Sequence, residues 1–278
     1  MYGAIIGDIA GSVFEFSNNK VKDFPIFSGE SDITDDTIIT LAVAMALAQW
    51  KKEGGSLHEA LITHMQKMGR RFPYPMGAYG AQFKLWLSSP NPQPYGSCGN
   101  GSAMRVSPCA LIANTLEEAL ELAKISSEVT HNHPEGIKGA QAVAAAVFLA
   151  KKRHSKEEIR NYIHENFYPM DRTCDEIRSV YRFDGTCQGT VPEAIISFLE
   201  SDSFEDAIRN AISLGGDADT LGAITGSIAW TFYRFADDDS TADMWNLQLA
   251  ADEFLPDDLI LFIDEFDRLC RDTFPVLD

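Results

Sequence analysis

Apolar residues recur every three or four positions along most of the chain, which is the period of an α-helix. Residues 37–50, for example, place Ile38, Leu41 and Met45 on one stripe. The same spacing predicts helices over residues 116–126, 136–151, 156–165, 190–199, 204–214, 220–234 and 257–271, with weaker signals at 56–68 and 81–87. No segment shows the alternation of a strand or the turn signal of a hairpin. The chain is therefore predicted to be all-α.

Glycines four residues apart mark two of these helices. Gly3, Gly7 and Gly11 share one face of an opening helix, and Gly222 and Gly226 share a face of the helix over residues 220–234. Glycine costs a helix about 1 kcal/mol relative to alanine, which is tolerable where two backbones must approach closely. We expect one compact, orthogonal helical domain over residues 1–278, with residues 237–278 as an acidic helical segment of that domain.

The charge balance excludes several classes of function. The 278 residues include 41 Asp and Glu against 23 Lys and Arg, for a net charge of −18, and residues 237–278 hold thirteen of the acids. A protein that binds a nucleic-acid backbone needs a basic surface, so no such binding is expected.

No apolar run approaches the roughly 18 residues of a membrane span, and no targeting segment is visible. Five scattered cysteines without a CxxC motif fit a reduced, cytoplasmic protein, which we expect to be a monomer.

Two acidic clusters interrupt apolar sequence directly before predicted helices. The first contains Thr34, Asp35 and Asp36, and the second contains Asp217, Asp219 and Thr220 after a pair of glycines. Helix capping accounts for one acid and one hydroxyl at each helix, but less well for two acids and a threonine in both places. The alternative is a metal site, because four converging carboxylates would repel one another without a cation. Oxygen-only ligands favour Mg²⁺ or Mn²⁺ over zinc.

Three further features could take part in chemistry. Glu15 follows Asp8 by seven residues, which predicts that both lie on one helix face, either as a partly desolvated acid or as an exposed helix end. A turn formed by Gly99, Asn100, Gly101 and Ser102 could present backbone N–H groups to an anion, although such turns are also common as ordinary loops. His131 stands ahead of a helix as a ligand, a substrate donor or a turn residue. No HExxH motif or nucleophile triad is present.

Taken in order, these motifs resemble the ADP-ribosylglycohydrolase family. The matching runs are residues 3–12 with Glu15, residues 34–37, residues 99–105, residues 130–134 and residues 215–220. Five ordered motifs over four fifths of the chain are a specific signal, and the all-α fold of the family agrees with the helical periodicity.

The resemblance implies a binuclear Mg²⁺ or Mn²⁺ centre. It also implies a hydrolase that removes ADP-ribose from a protein side chain, with arginine as the first candidate for the modified residue. The ligands would be Thr34, Asp35, Asp36, Asp217, Asp219 and Thr220. Glu15 and Asp36 would act in catalysis. Gly99, Asn100, Gly101, Ser102 and His131 would contact the ADP-ribose. The expected partner is an ADP-ribosylated protein or a small molecule that contains ADP-ribose.

Two departures from the family pattern stand out. Ala218 fills a position that usually carries Thr or Ser, which removes a hydroxyl but no carboxylate. Ser97 and Cys98 stand where some bacterial members carry a carboxylate before the glycine-rich turn, so Glu15 or a metal-bound aspartate would have to serve as a base. Hydrolysis of another ADP-ribosyl bond, such as a serine or nucleic-acid adduct or a free metabolite, and a non-catalytic, crystallin-like role remain as alternatives.

Overall fold

The computed structural model describes residues 1–234 and 240–271, and within these ranges the protein is all-α, as the periodicity predicts. The described residues contain no strand, only two isolated β-bridges. The helices are α1 (Tyr2–Ser12), α2 (Asp35–Glu53), α3 (Leu57–Arg71), α4 (Ala81–Ser88), α5 (Ser107–Ile112), α6 (Leu116–Glu128), α7 (Pro134–Lys151), α8 (Lys156–Asn166), α9 (Cys174–Val180), α10 (Cys187–Leu199), α11 (Phe204–Ser213), α12 (Ala218–Tyr233), α13 (Ser240–Asp252) and α14 (Asp257–Cys270). A short 3₁₀ turn covers Asn100–Ser102.

Helices α1 and α12 cross at the centre of the molecule with their backbones in contact. A Cβ atom on Gly7 would lie 2.0 Å from the carbonyl oxygen of Gly222, and one on Gly3 would lie 2.1 Å from that of Gly226. Every residue of α1 is buried. The glycine spacing therefore serves close helix packing, which brings the middle of α1 against the first turns of α12.

Several helices begin or end at residues other than those predicted. Helix α2 begins at Asp35 and α12 at Ala218, two residues before the predicted starts, because Thr34 and Asp217 are the N-caps. Helices α5 and α9 are absent from the prediction because they have only 6 and 7 residues, too few to show a period. Helix α13 was also missed, and its apolar residues do not form a stripe.

The C-terminal segment contributes α13 and α14, which pack on the body of the bundle. Helix α13 contacts α1, α11 and α12, and α14 contacts α2 and α5. Residues 237–239 and 272–278 of the predicted acidic segment lie outside the described residues, and the single-domain assignment stays a prediction. Among the described helices, none combines the length and apolarity needed to cross a membrane.

Candidate active site

The first turns of α2 and α12 bring the two acidic clusters together. Thr34 caps α2 by accepting a hydrogen bond from the backbone N–H of Asp36. The chain enters α12 through Gly215 and Gly216, whose φ angles of 75° and 74° lie in the left-handed region that glycine adopts readily. Helix N-termini favour nearby negative charge, so both helix ends suit the carboxylates that follow.

The carboxylates form two groups that share Asp219. One oxygen each from Asp8, Asp36 and Asp219 lie within 4.8 Å of one another, and so do oxygens from Glu15, Asp217 and Asp219. All of these side chains are buried except Glu15, which is partly buried. So many acids at such short range repel one another, and a cation between them would offset that repulsion.

Asp8 is the acid of this cluster that the sequence did not place among the site residues. Its carboxylate accepts hydrogen bonds from the backbone N–H groups of Thr34 and Thr37 and from the Thr34 hydroxyl, at 2.7–3.1 Å. It therefore ties α1 to the start of α2. A charged residue inside the otherwise apolar, fully buried helix α1 was the available signal.

The electrostatics of the cluster raise the pKa of every carboxyl in it. Burial is the main cause for Asp8, whose pKa rises to about 6 despite its hydrogen bonds. Burial, Asp217 and Asp8 raise the pKa of Glu15 to about 7. Burial and the same kind of acidic neighbours raise the pKa of Asp35 to about 8. The pKa values of Asp36 and Asp219 lie well above the usual range for the same reasons.

The oxygen atoms present fit a hard divalent cation. Oδ1 of Asp36 is buried and has no hydrogen-bond partner among the described residues, an unusual state for a carboxylate oxygen. Oδ2 of the same residue accepts a hydrogen bond from the Thr220 hydroxyl at 3.3 Å. Carboxylate and hydroxyl oxygens are the ligands that Mg²⁺ and Mn²⁺ prefer.

A cleft of about 460 Å³ opens above these carboxylates. Most of the residues predicted for the site line this cleft: Glu15, Asp35, Asp36, Gly99, Asn100, Gly101, His131, Asp217, Asp219 and Thr220. A larger cavity of about 700 Å³ lies beside Trp230 and Trp245, but no member of the two carboxylate groups lines it. The chemistry therefore points to the smaller cleft.

Two predicted site residues, Thr34 and Ser102, do not line the cleft. The Thr34 hydroxyl donates to Asp8 and caps α2, and the Ser102 hydroxyl donates to the carbonyl oxygen of Gly136 at 2.8 Å. Both side chains are fully buried. Their assignments as a metal ligand and a substrate contact stay predictions.

Asn100 reaches the acidic cluster directly. Its side-chain amide donates to Oδ2 of Asp217 at 2.7 Å and to the Thr190 hydroxyl at 3.0 Å. This amide therefore orients a carboxylate of the candidate metal centre. The backbone N–H of Asn100 is itself bound to the carbonyl oxygen of Gly185 at 2.9 Å.

Glu15 lies three residues beyond the end of α1, so the prediction that it shares a helix face with Asp8 is wrong. Helix α1 ends at Ser12, and residues 13–17 form turns. The loop around Gly77 covers the Glu15 carboxylate, and a Cβ atom on Gly77 would lie 2.4 Å from Oε2. Gly77 also has a φ of 75°, so this position strongly favours glycine.

Comparison with known proteins gives one family over most of the chain. The family model described as ADP-ribosylglycohydrolase matches residues 1–236. A solved structure described as an ADP-ribosylglycohydrolase-related protein complex aligns with a TM-score of 0.65 at 23% identity, over 91% of this chain and 95% of that one. The structural likeness supports the fold.

Three curated relatives carry descriptions of activity. The ADP-ribosylarginine hydrolase Tri1 of Pseudomonas putida is 28% identical over 84% of this chain and 69% of its own length. The ADP-ribosyl-[dinitrogen reductase] glycohydrolase of Rhodospirillum rubrum is 27% identical over 74% of this chain and 70% of its own. The ADP-ribosylhydrolase ARH3 of Bos taurus is 25% identical over 83% of each chain.

Proposed function

This chain belongs to the ADP-ribosylglycohydrolase family, a family of glycosidic-bond hydrolases, and we propose that it hydrolyses the bond between ADP-ribose and a modified arginine side chain with two Mg²⁺ or Mn²⁺ ions. The observation that carries the proposal is the pair of carboxylate groups that share Asp219 at the base of the cleft. A structural, crystallin-like role would not require such a costly concentration of buried charge.

The metal ligands in this proposal are Thr34, Asp35, Asp36, Asp217, Asp219 and Thr220. The buried Oδ1 of Asp36, which has no hydrogen-bond partner in the described part of the chain, and the raised pKa values support this set. Bound there, divalent ions would polarise the ribose hydroxyls and the attacking water. Asp8 adds a further carboxylate oxygen within 4.8 Å of those of Asp36 and Asp219.

Glu15 is proposed to move the proton in the reaction. Its side chain lines the cleft and is less buried than the aspartates of its group, so it can reach both the cleft and the acidic cluster. A carboxyl group with a pKa near neutrality is well suited to give and take a proton, and in the metal-free protein burial and acidic neighbours raise the pKa of Glu15 to about 7. It would protonate the leaving group or take a proton from water.

The remaining residues of the cleft would hold the substrate and stabilise charge. Cleavage at the anomeric carbon passes through an oxocarbenium-like state, which the carboxylates of Asp35 and Asp36 would stabilise electrostatically. Gly99, Asn100, Gly101 and His131 lie along the same cleft and would face the diphosphate. Arginine as the acceptor is supported by the descriptions of the Pseudomonas putida and Serratia proteamaculans relatives.

A panel of substrates tests the proposed acceptor. ADP-ribosyl-arginine, ADP-ribosyl-serine and an ADP-ribosylated oligonucleotide would each be incubated with the protein and Mg²⁺, and released ADP-ribose would be quantified by chromatography. We expect release from the arginine adduct to be fastest. Faster release from the serine or nucleic-acid adduct would overturn the assignment of arginine as the acceptor. Release from none of the three substrates would overturn the proposal that the protein hydrolyses ADP-ribosyl bonds.

A further inference from the structure

Arg105 is a buried cation in the wall of the cleft. Its side chain is 1% exposed, and it lines the same cavity as the carboxylates. No carboxylate forms an ion pair with it in the described part of the chain. Its Nε atom has no hydrogen-bond partner there either. A buried charge without a counterion destabilises the fold, and a bound anion in the cleft would offset that cost.

Within residues 1–234 and 240–271, the guanidinium group donates hydrogen bonds through one nitrogen, Nη2. Nη2 of Arg105 donates to the carbonyl oxygen of Ser126 at 2.6 Å and to the hydroxyl of Thr130 at 2.8 Å. The Thr130 hydroxyl oxygen in turn lies 2.7 Å from Nδ1 of His131. These contacts connect the buried cation to a histidine that also lines the cleft.

The Thr130 hydroxyl and Nδ1 of His131 lie 2.7 Å apart, and either atom could donate the proton of this hydrogen bond. The hydroxyl oxygen accepts from Arg105, and the hydroxyl proton can go either to Nδ1 of His131 at 2.7 Å or to the carbonyl oxygen of Ser127 at 3.5 Å. If Nδ1 carried a proton, the Thr130 hydroxyl would have only the 3.5 Å contact to Ser127 as an acceptor, which is too long for a strong hydrogen bond, so the geometry favours donation to Nδ1. Nδ1 is then an acceptor, and a neutral imidazole with an acceptor at Nδ1 carries its proton on Nε2.

The environment also keeps the imidazole neutral. The ring is 6% exposed, and burial together with the nearby Arg105 cation holds the pKa of His131 well below its usual range. Nε2 faces the glycine-rich turn, since a Cβ atom on Gly101 would lie 3.2 Å from it. No partner for Nε2 is found among residues 1–234 and 240–271.

We propose that Arg105 and Thr130 are positioning residues that hold His131 as the tautomer protonated on Nε2, so that this N–H is a donor in the cleft for a phosphate oxygen of the substrate. The positive charge of Arg105 would favour the same anion. The backbone N–H groups of Gly99 and Asn100 already bond to Ser97 and Gly185, so the turn needs donors from outside itself. The identity of the anion rests on the proposed function, whereas the tautomer does not.

Nitrogen-15 NMR of histidine-labelled protein tests the tautomer without any substrate. In the wild type we expect Nδ1 of His131 to resonate as an unprotonated nitrogen and Nε2 as a protonated one. Thr130→Val removes the hydroxyl at nearly the same volume and should mix the two tautomers, whereas Thr130→Ser keeps the hydroxyl and should leave the wild-type pattern. A proton on Nδ1 in the wild type would overturn the proposal, and so would a Thr130→Val spectrum identical to that of the wild type.

Binding and kinetics test the consequence for the ligand. With Mg²⁺ present throughout, Thr130→Val should bind ADP-ribose about tenfold more weakly and raise KM with little change in kcat, while Thr130→Ser should stay close to the wild type. Equal affinity of the two variants would overturn the role in binding. If Thr130→Val does not fold, the wild-type spectrum still decides the tautomer. If the Thr130 variants show the expected tautomers but the protein hydrolyses none of the substrates, the positioning role is supported and the proposed function is overturned.

Discussion

Asp219 contributes an oxygen atom to both carboxylate groups, so it is the residue on which the candidate metal centre depends most. Asp219→Asn keeps the size of the side chain and removes its charge. We expect this variant to lower the rate of metal-dependent hydrolysis at least about 100-fold. Even the mutation of a residue that only orients a metal ligand lowers metal affinity or activity 10–100-fold. Released ADP-ribose measured over a range of Mg²⁺ concentrations would give the loss.

The same variant separates metal binding from folding. Without metal, Asp219→Asn should unfold at a higher temperature than the wild type at pH 8, because one of several repelling carboxylates is gone. Asp202→Asn is a matched control, because Asp202 is exposed and belongs to neither group. A metal-free Asp219→Asn protein less stable than the wild type would contradict the repulsion account.

Glu15 has a different predicted signature. Glu15→Gln should lower kcat by about 10²–10⁴-fold, the usual contribution of a general acid or base, while ADP-ribose still binds. Thermal unfolding would verify that the variant folds, and calorimetry with ADP-ribose would verify binding. A folded, metal-binding variant with wild-type kcat would remove Glu15 from the mechanism.

At the scale of single residues, the sequence singled out the acids at the starts of helices but not Asp8, which lies in the middle of one. Asp35, Asp36, Asp217 and Asp219 interrupt apolar sequence at helix starts, where local spacing makes them visible. Asp8 stands out in the sequence as a lone charge in an apolar helix, but its place in the cluster depends on α2 beginning against α1. The substrate contact of Ser102 was implied by the family resemblance and stays a prediction, and its hydroxyl lies against Gly136 and Cys187 in the 3₁₀ turn.

At the scale of elements, the crossing of α1 and α12 positions the site. Gly7→Ala would place a methyl group 2.0 Å from the Gly222 carbonyl oxygen, so the two helices would have to separate. We expect a loss of about 1–3 kcal/mol in the free energy of unfolding, even though alanine is the better helix former. Denaturant unfolding would measure it.

A second glycine-to-alanine variant, at a position without close neighbours, separates the effect of helix packing from that of the substitution itself. Gly29 has no atom within 4 Å of its would-be Cβ, so Gly29→Ala should leave the unfolding free energy almost unchanged. Gly7→Ala should also weaken Mg²⁺ binding, because Asp8 and Asp219 are carried by the two separated helices. Equal stability of the two variants would show that the close crossing is not required.

Most long helices were predictable and the two shortest described helices, α5 and α9, were not, for a physical reason. Helices such as α7 and α12 bury most of their residues, and their apolar periodicity extends over four or more turns. Helices α5 and α9 have fewer than two full turns, and tertiary contacts decide their conformation. The starts of α2 and α12 differed from the prediction by two residues because the caps themselves are acids and hydroxyls of the site.

At the scale of the whole molecule, the net charge of −18 does not show how the charged residues are distributed. Part of the negative charge is buried around one cleft, and the buried cation Arg105 lies in the wall of that cleft. From the sequence, backbone N–H groups of the turn at residues 99–102 were the candidate donors to an anion. In the proposal made above, Arg105 and His131 would add a cation and a neutral donor that composition alone could not reveal.

The raised pKa values predict how stability depends on pH. In the folded, metal-free protein, Asp8, Glu15 and Asp35 have pKa values of about 6, 7 and 8, all above those of the unfolded chain, so the folded state binds more protons between about pH 4 and pH 8. Stability of the metal-free protein should therefore fall as the pH rises through this window. Thermal unfolding at pH 5.5 and pH 8 would measure the change.

Mg²⁺ should reverse that trend, because a bound cation favours the ionised carboxylates. The stabilisation by Mg²⁺ should be larger at pH 8 than at pH 5.5 and should be absent in Asp219→Asn. Equal stabilisation by Mg²⁺ at both pH values would show that the ion binds elsewhere.

The central claim is that hydrolysis needs divalent ions held by the carboxylates around Asp219. The most direct measurement is the release of ADP-ribose from ADP-ribosyl-arginine by protein stripped with EDTA and then titrated with Mg²⁺. We predict that the stripped protein is inactive, that activity returns with Mg²⁺, and that calorimetry gives two bound ions per chain. Full turnover by the stripped protein would contradict the account.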